Sequence, residues 1–177
     1  MVRLKQTVAL VGMMGAGKSS LGRRLAGRLN VPFRDADSEI EAAAGCSINE
    51  IFDRFGEPGF RDGERKVIAR LLSDPPHVLA TGGGAFVDDE TRSRIKATAL
   101  SVWINVPIDV LIERVGRRET RPLLRHGDPR EIMPRLLAER EPTYAEADLT
   151  IDSEDAPHGA AVEKILAALR ERGMLGE

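Results

Sequence analysis

Eight residues near the start of the chain, Gly12-Met-Met-Gly15-Ala16-Gly17-Lys18-Ser19, fit the spacing G-x-x-x-x-G-K-[ST]. The glycines let backbone N–H groups turn inward and approach a phosphate chain. Lys18 is placed to reach the β- and γ-phosphates, and Ser19 to hold Mg²⁺. The nucleotide-contacting set is Gly15, Ala16, Gly17, Lys18, Ser19 and Ser20. The chain is therefore expected to bind a nucleoside triphosphate.

Further along, Asp35-Ala-Asp37 supplies two carboxylates. In extended chain, alternation puts both on the same side. Beside a triphosphate, one can order Mg²⁺ through water while the other accepts a proton from a hydroxyl. The competing role is helix capping, since Asp37 or Ser38 precedes the run Glu39-Ile-Glu41. Phe60-Arg61 joins an apolar ring to a guanidinium, a pair that can pack a ligand ring and bind its carboxylate. Arg61 and Glu64 have the spacing of a helical ion pair. Gly82-Gly83-Gly84 exposes backbone N–H groups and excludes side chains, so a small polar ligand can lie against it. Arg121 is placed to act as an arginine finger supplied in cis. For Arg140 the local alternative is a surface salt bridge with Glu139 or Glu141.

These residues need a scaffold. Strands are expected at Thr7–Val11, Val31–Arg34, Val78–Ala80, Leu100–Ile104 and Leu149–Ile151, mostly apolar without alternation, as in sheets covered on both faces. Leu21, Leu25 and Leu29 share a helical face after the loop. Ile108, Leu111, Ile112 and Val115 repeat the pattern behind Pro107, and Val162, Ile165, Leu166 and Leu169 repeat it near the end. Alternating strands and helices predict a three-layer α/β/α sandwich with a five-stranded parallel sheet. Two stretches interrupt it. Residues 38–73 read as a helical substrate-binding insertion. Residues 116–128, with Arg117-Arg118-Glu119-Thr120-Arg121-Pro122 and no apolar period, read as a lid. From about Arg172 onward the chain is expected to fray.

At 177 residues the chain (1–177) is one domain. Its 26 basic and 28 acidic residues leave a formal charge of −2, so no nucleic-acid partner is expected. Aromatics are only 4 %, so aliphatic residues must build the core, with Trp103 among them. Cys46 is the single cysteine, which rules out an internal disulfide or a Cys-rich metal site. His77, His126 and His158 share no metal-ligand spacing. No segment is long enough to span a membrane. The short apolar run Val8–Val11 leads straight into the glycine loop, so no export signal is read there. A monomer in the cytoplasm is expected.

The ordered set Asp35-x-Asp37, Phe60-Arg61, Gly82-Gly83-Gly84, Arg121-Pro-Leu-Leu124 and Arg140-x-Pro142-x-Tyr144, behind the glycine loop, resembles the shikimate kinase family from Thr7 to about Leu169. The resemblance implies the nucleoside-monophosphate-kinase-like P-loop fold. It also implies transfer of the ATP γ-phosphoryl group to the 3-hydroxyl of shikimate, on the pathway to chorismate and aromatic amino acids. By that resemblance Asp37 binds the hydroxyls and serves as base, and Asp35 sits near Mg²⁺ through water. Arg61 and Arg140 hold the carboxylate, Phe60 walls the ring, and Gly82, Gly83 and Gly84 line the pocket. Arg121 closes over the phosphates, and Arg114 and Pro157 flank adenine. The strand before the glycines ends Leu79-Ala80-Thr81, without the acidic residue of the usual second nucleotide motif, so the Mg²⁺ account is complete only if Asp35 takes that metal-ordering role. The rival readings are a gluconate-type kinase, a nucleoside-monophosphate kinase and an ATP-binding module without catalysis.

Overall fold

A computed structural model of the chain describes residues 2–116, 124, 127–154 and 158–177. The elements run β1 (Arg3–Leu4), β2 (Thr7–Val11), α1 (Lys18–Leu29), β3 (Phe33–Asp35), α2 (Ala36–Ala44), α3 (Ile48–Leu72) and β4 (Val78–Ala80). They continue α4 (Asp89–Thr98), β5 (Ala99–Asn105), α5 (Ile108–Gly116), α6 (Pro129–Tyr144), β6 (Leu149–Asp152), α7 (Gly159–Glu171) and β7 (Leu175–Gly176).

A five-stranded sheet in the order β3-β4-β2-β5-β6 forms the middle of the fold, and every neighbouring pair is parallel. Helices cover it, with α1 packed on α7, α3 on α4 and α5 on α6. The expected three-layer sandwich is the observed one. All five residues of β2 are buried, as befits the central strand of a sheet covered on both faces. Leu21, Leu25 and Leu29 of α1 are buried with it, and so is Trp103 of β5. A second apolar cluster, with Ile40, Ile51, Phe60, Ile68 and Leu71, belongs to the helical insertion, which has no strand of its own.

The strand register decides what meets at the functional edge. Leu10 of β2 lies beside Ala80 of β4, and Ala80 lies beside Asp35 of β3. The glycine loop after β2, the glycine turn after β4 and the acidic end of β3 therefore emerge side by side. The chain passes from β2 to β3 on one side and later to β5 on the other, and that crossover is where open α/β sheets hold ligands.

Three expectations need correction. The second strand begins at Phe33, not Val31, because α1 ends with Asn30 in the left-handed region (φ 54°) and the Val31 N–H turns back to Ala26 O at 3.1 Å. Pro32 follows with no N–H, and its carbonyl accepts from Val78 N at 3.0 Å. Asp35 and Asp37 do not alternate along a strand. Asp35 caps α2, accepting from Ser38 N at 3.2 Å, so Asp37 already lies in the first helical turn. The C-terminus does not fray after Arg172: β7 pairs antiparallel with β1, Leu4 opposite Leu175, and Lys5 N donates to Met174 O at 2.9 Å. Arg121, Pro157 and nearly all of the stretch read as a lid lie outside the described residues.

Candidate active site

The loop after β2 leads directly into α1, with Gly17 at the cap in the left-handed region (φ 83°). No acidic residue occupies the first turn of α1, so its partial positive charge is open to an anion. Lys18 is buried, and its Nζ donates to the carbonyls of Gly12 and of Met13, the latter at 3.1 Å. Ser19 Oγ donates to Asp35 Oδ2 at 2.5 Å. This hydroxyl and carboxylate form an all-oxygen corner beside the loop, the donor chemistry Mg²⁺ takes. Among the described residues no cluster of three or more His, Cys, Asp or Glu could hold a metal alone.

Arg114 reaches back from α5 and donates to Gly15 O at 3.0 Å. The His158 ring lies against the same loop: a Cβ on Gly17 would stand 2.8 Å from its Cε1. Burial, then the charges of Arg24 and Arg114, hold this imidazole below its ordinary pKa of 6.5. Spacing alone suggested no function for His158, and its place beside the loop depends on β6 and α7.

A cavity of about 330 Å³ opens next to the loop. Asp37, Phe60, Arg61, Gly82, Gly83, Gly84 and Arg140 all line it, so residues more than 100 positions apart converge as expected. Arg61 and Phe60 lie early in the second segment of α3, which is kinked at Gly56 (φ 68°) ahead of Pro58. The Arg61 guanidinium sits 5.1 Å from the Phe60 ring centroid, and Phe52 packs on Phe60 at 4.8 Å between centroids. Arg61 crosses so close to the glycine turn that a Cβ on Gly84 would lie 2.6 Å from its Cζ. Arg140 is not a surface ion pair: it is buried, and its Nη1 has no hydrogen-bond partner among the described residues. Such a guanidinium fits an incoming carboxylate.

Glu64 is the main addition to the expected site. Its side chain is 1 % exposed and pairs with Arg61 Nη1 at 2.9 Å. Its second oxygen, Oε2, has no hydrogen-bond partner among the described residues, and a Cβ on Gly82 would stand 3.4 Å from it and 3.0 Å from Asp37 Oδ1. Burial pushes the Glu64 carboxyl above its ordinary pKa of 4.5, Arg61 opposes that shift, and nearby Asp37 adds to it. Ile48 and Phe52, one turn apart on α3, form the apolar wall, and Ser47 caps that helix in a reciprocal box with Glu50. The Ser-x-x-Glu pattern at Ser47–Glu50 was a readable signal for that helix start. Arg65 of α3 ties this wall to α4 through Asp88, at 2.8 Å from Nε to Oδ1, and this contact holds the Asp88 carboxyl below its usual range.

A cavity lined by the guanidinium groups of Arg61 and Arg140 and the carboxyl groups of Asp37, Glu41 and Glu64, open beside a triphosphate loop, can bring a small hydroxylated acid to a phosphoryl group. Comparison with known proteins points the same way. The family model described as Shikimate kinase matches residues 14–170. The chain is 58 % identical over 166 residues to the shikimate kinase of Caulobacter vibrioides, covering 94 % of this chain and 83 % of the relative. It is 59 % identical over 165 residues to the one from Bradyrhizobium diazoefficiens, covering 93 % and 80 %. Among solved structures, the shikimate kinase of Acinetobacter baumannii in complex with shikimate superposes with a TM-score of 0.91 at 38 % identity, covering 94 % of both chains.

Proposed function

Since the chain belongs to the shikimate kinase family, we propose that it transfers the γ-phosphoryl group of ATP to the 3-hydroxyl of shikimate, giving shikimate 3-phosphate and ADP. The observation that carries this reading is the cavity in which Arg61, Arg140 and Asp37 face one space beside the loop of Lys18 and Ser19.

Each part of the substrate has a counterpart. Arg61 and Arg140 pair with the carboxylate, and Phe60 with Phe52 covers the ring. The Gly82–Gly84 turn lets the ring lie against backbone. Asp37 accepts the proton of the 3-hydroxyl as its oxygen attacks the γ-phosphorus, and ADP leaves with the electron pair of the broken P–O bond. Lys18 turns from the loop carbonyls to the β- and γ-phosphates. Ser19 and Asp35 would hold Mg²⁺, Asp35 through water, and the ion would neutralise charge on the β- and γ-phosphate oxygens. Arg114, beside Gly15, flanks adenine. Arg121 and Pro157, outside the described residues, are assigned from the family motif to the closing arginine and the second adenine wall. Most of the rate enhancement then comes from positioning and charge stabilisation.

The chain functions as one kinase domain, with residues 38–73 binding substrate and 116–128, mostly outside the described residues, assigned as the lid from the sequence. We place it in the cytoplasm as a monomer whose partners are small molecules rather than nucleic acid. Among the described residues no helix is long and apolar enough to cross a membrane.

ADP release measured with ATP and Mg²⁺, beside shikimate, gluconate or AMP as acceptor, tests the reading. Release that depends on shikimate alone is expected. Release driven by gluconate or AMP would transfer the assignment to a rival kinase, and ATP binding without release would make the chain a non-catalytic module.

A further inference from the structure

Tyr144 has no part in the mechanism above, yet it connects its two halves. It lies one turn beyond Arg140 on α6 and is completely buried. Its hydroxyl donates to the Gly83 carbonyl. Gly83 is the middle residue of the glycine turn, and the turn meets the phosphate loop there. A Cβ on Gly83 would stand 3.2 Å from Arg140 Nη1, 3.3 Å from Met14 N and 3.9 Å from Gly12 O. On its other side the Tyr144 ring packs on Trp103, with 5.8 Å between centroids and 32° between planes. Trp103 in turn borders the phosphate loop, since a Cβ on Gly12 would be 3.3 Å from its Cδ1.

A phenylalanine would fill nearly the same volume, so packing alone does not call for the hydroxyl. Burial raises the phenol above its ordinary pKa of 10.0, with Arg140 and Arg61 opposing the shift, so at neutral pH the group carries its proton and donates it. Without that donor the part-buried Gly83 carbonyl would lose the bond that fixes its peptide plane.

We propose that Tyr144 is a positioning residue: its hydroxyl holds the Gly83 peptide, and so sets the spacing between the phosphate loop, the glycine turn and the Arg140 guanidinium. Tyr144 does not touch the reacting atoms. It acts through Gly83 and through Arg140 on the same helix face. The inference rests on shikimate as acceptor and adds a residue to the way that acceptor is held.

Steady-state kinetics and thermal melting of the wild type and Tyr144→Phe test it. The variant should show a shikimate KM raised about five- to tenfold, with the ATP KM within about twofold of wild type. A lowered melting temperature with both KM values and kcat unchanged would mean a structural hydroxyl only, and would overturn the proposal. Trp103 is the only tryptophan and gives a second readout that needs no folded variant. Its emission in the wild type should change on saturation with shikimate, and no change would equally overturn the link. Where Tyr144→Phe folds, the change should shrink by at least about half. A wild type that binds ATP but does not phosphorylate shikimate would overturn the functional reading and this inference with it. A wild type active on shikimate with an unaltered Tyr144→Phe removes this inference alone.

Discussion

The Ser19 hydroxyl donates to the Asp35 carboxylate at 2.5 Å, joining the phosphate-loop helix to the end of a strand two places away in the sheet. Asp35 does two things at once, because its other oxygen caps α2. Asparagine caps helices about as well as aspartate. Asp35→Asn should therefore keep the fold while removing the charge. The expected result is a several-fold rise in the Mg²⁺ concentration needed for half-maximal rate, with the melting temperature little changed. An unaltered Mg²⁺ titration would take Asp35 out of the metal site.

Asp37→Asn is the corresponding test of the base. The amide keeps the size of the side chain but cannot take the proton of the acceptor hydroxyl. A kcat loss of about 10²-fold or more is expected, with ATP affinity by calorimetry unchanged. Near-normal turnover would exclude Asp37 as the base.

Gly84→Ala should act through Arg61, since the new Cβ would overlap its guanidinium. Displacing that group should raise the shikimate KM by about tenfold or more while ATP affinity stays put. Gly63→Ala on the same helix as Arg61 is the control. Its Cβ would meet nothing within 4 Å, so removing a helical glycine should stabilise the fold by about 0.5–1 kcal/mol and leave both KM values alone. Equal kinetics for the two variants would contradict the close approach of Gly84 and Arg61.

Glu64 makes a prediction about pH and stability. Its folded carboxyl has a pKa raised above 4.5, chiefly by burial. Between 4.5 and the raised value the folded state holds more protons than the unfolded one, so stability falls as pH rises through that window. Urea midpoints of the wild type and Glu64→Gln across mildly acidic pH should diverge with that sign, the wild type losing ground to the variant as pH rises. A wild type that instead gains relative to Glu64→Gln on raising pH would mean that the Arg61 ion pair outweighs burial.

Much of this architecture could be read from local signals. β2 and β4 fall where their apolar runs end, because residues buried on both faces leave a continuous apolar stretch. The glycine loop, the Phe60-Arg61 pair and the three glycines are contiguous motifs; the cavity is lined by the last two, with Met14 of the loop at its edge. What escaped was non-local. β1 and β7 have two residues each, too few to show a period, and they exist only because the chain ends meet. The Val31 boundary failed because the C-terminal bonding of α1 claimed the N–H that a strand would have used. Glu64 read as a helical partner of Arg61, and nothing local shows that α3 turns it into the cavity. The Tyr144 contact spans 61 residues and depends on β4 lying next to β2.

Phosphorus NMR of the products from ATP, Mg²⁺ and shikimate tests the central claim most directly, because it reads which oxygen received the phosphoryl group. The account predicts one phosphate monoester on the 3-hydroxyl, formed in equal amount with ADP. A phosphate on another hydroxyl would contradict the placement of Asp37 against the ring, and inorganic phosphate as the only new signal would contradict transfer altogether.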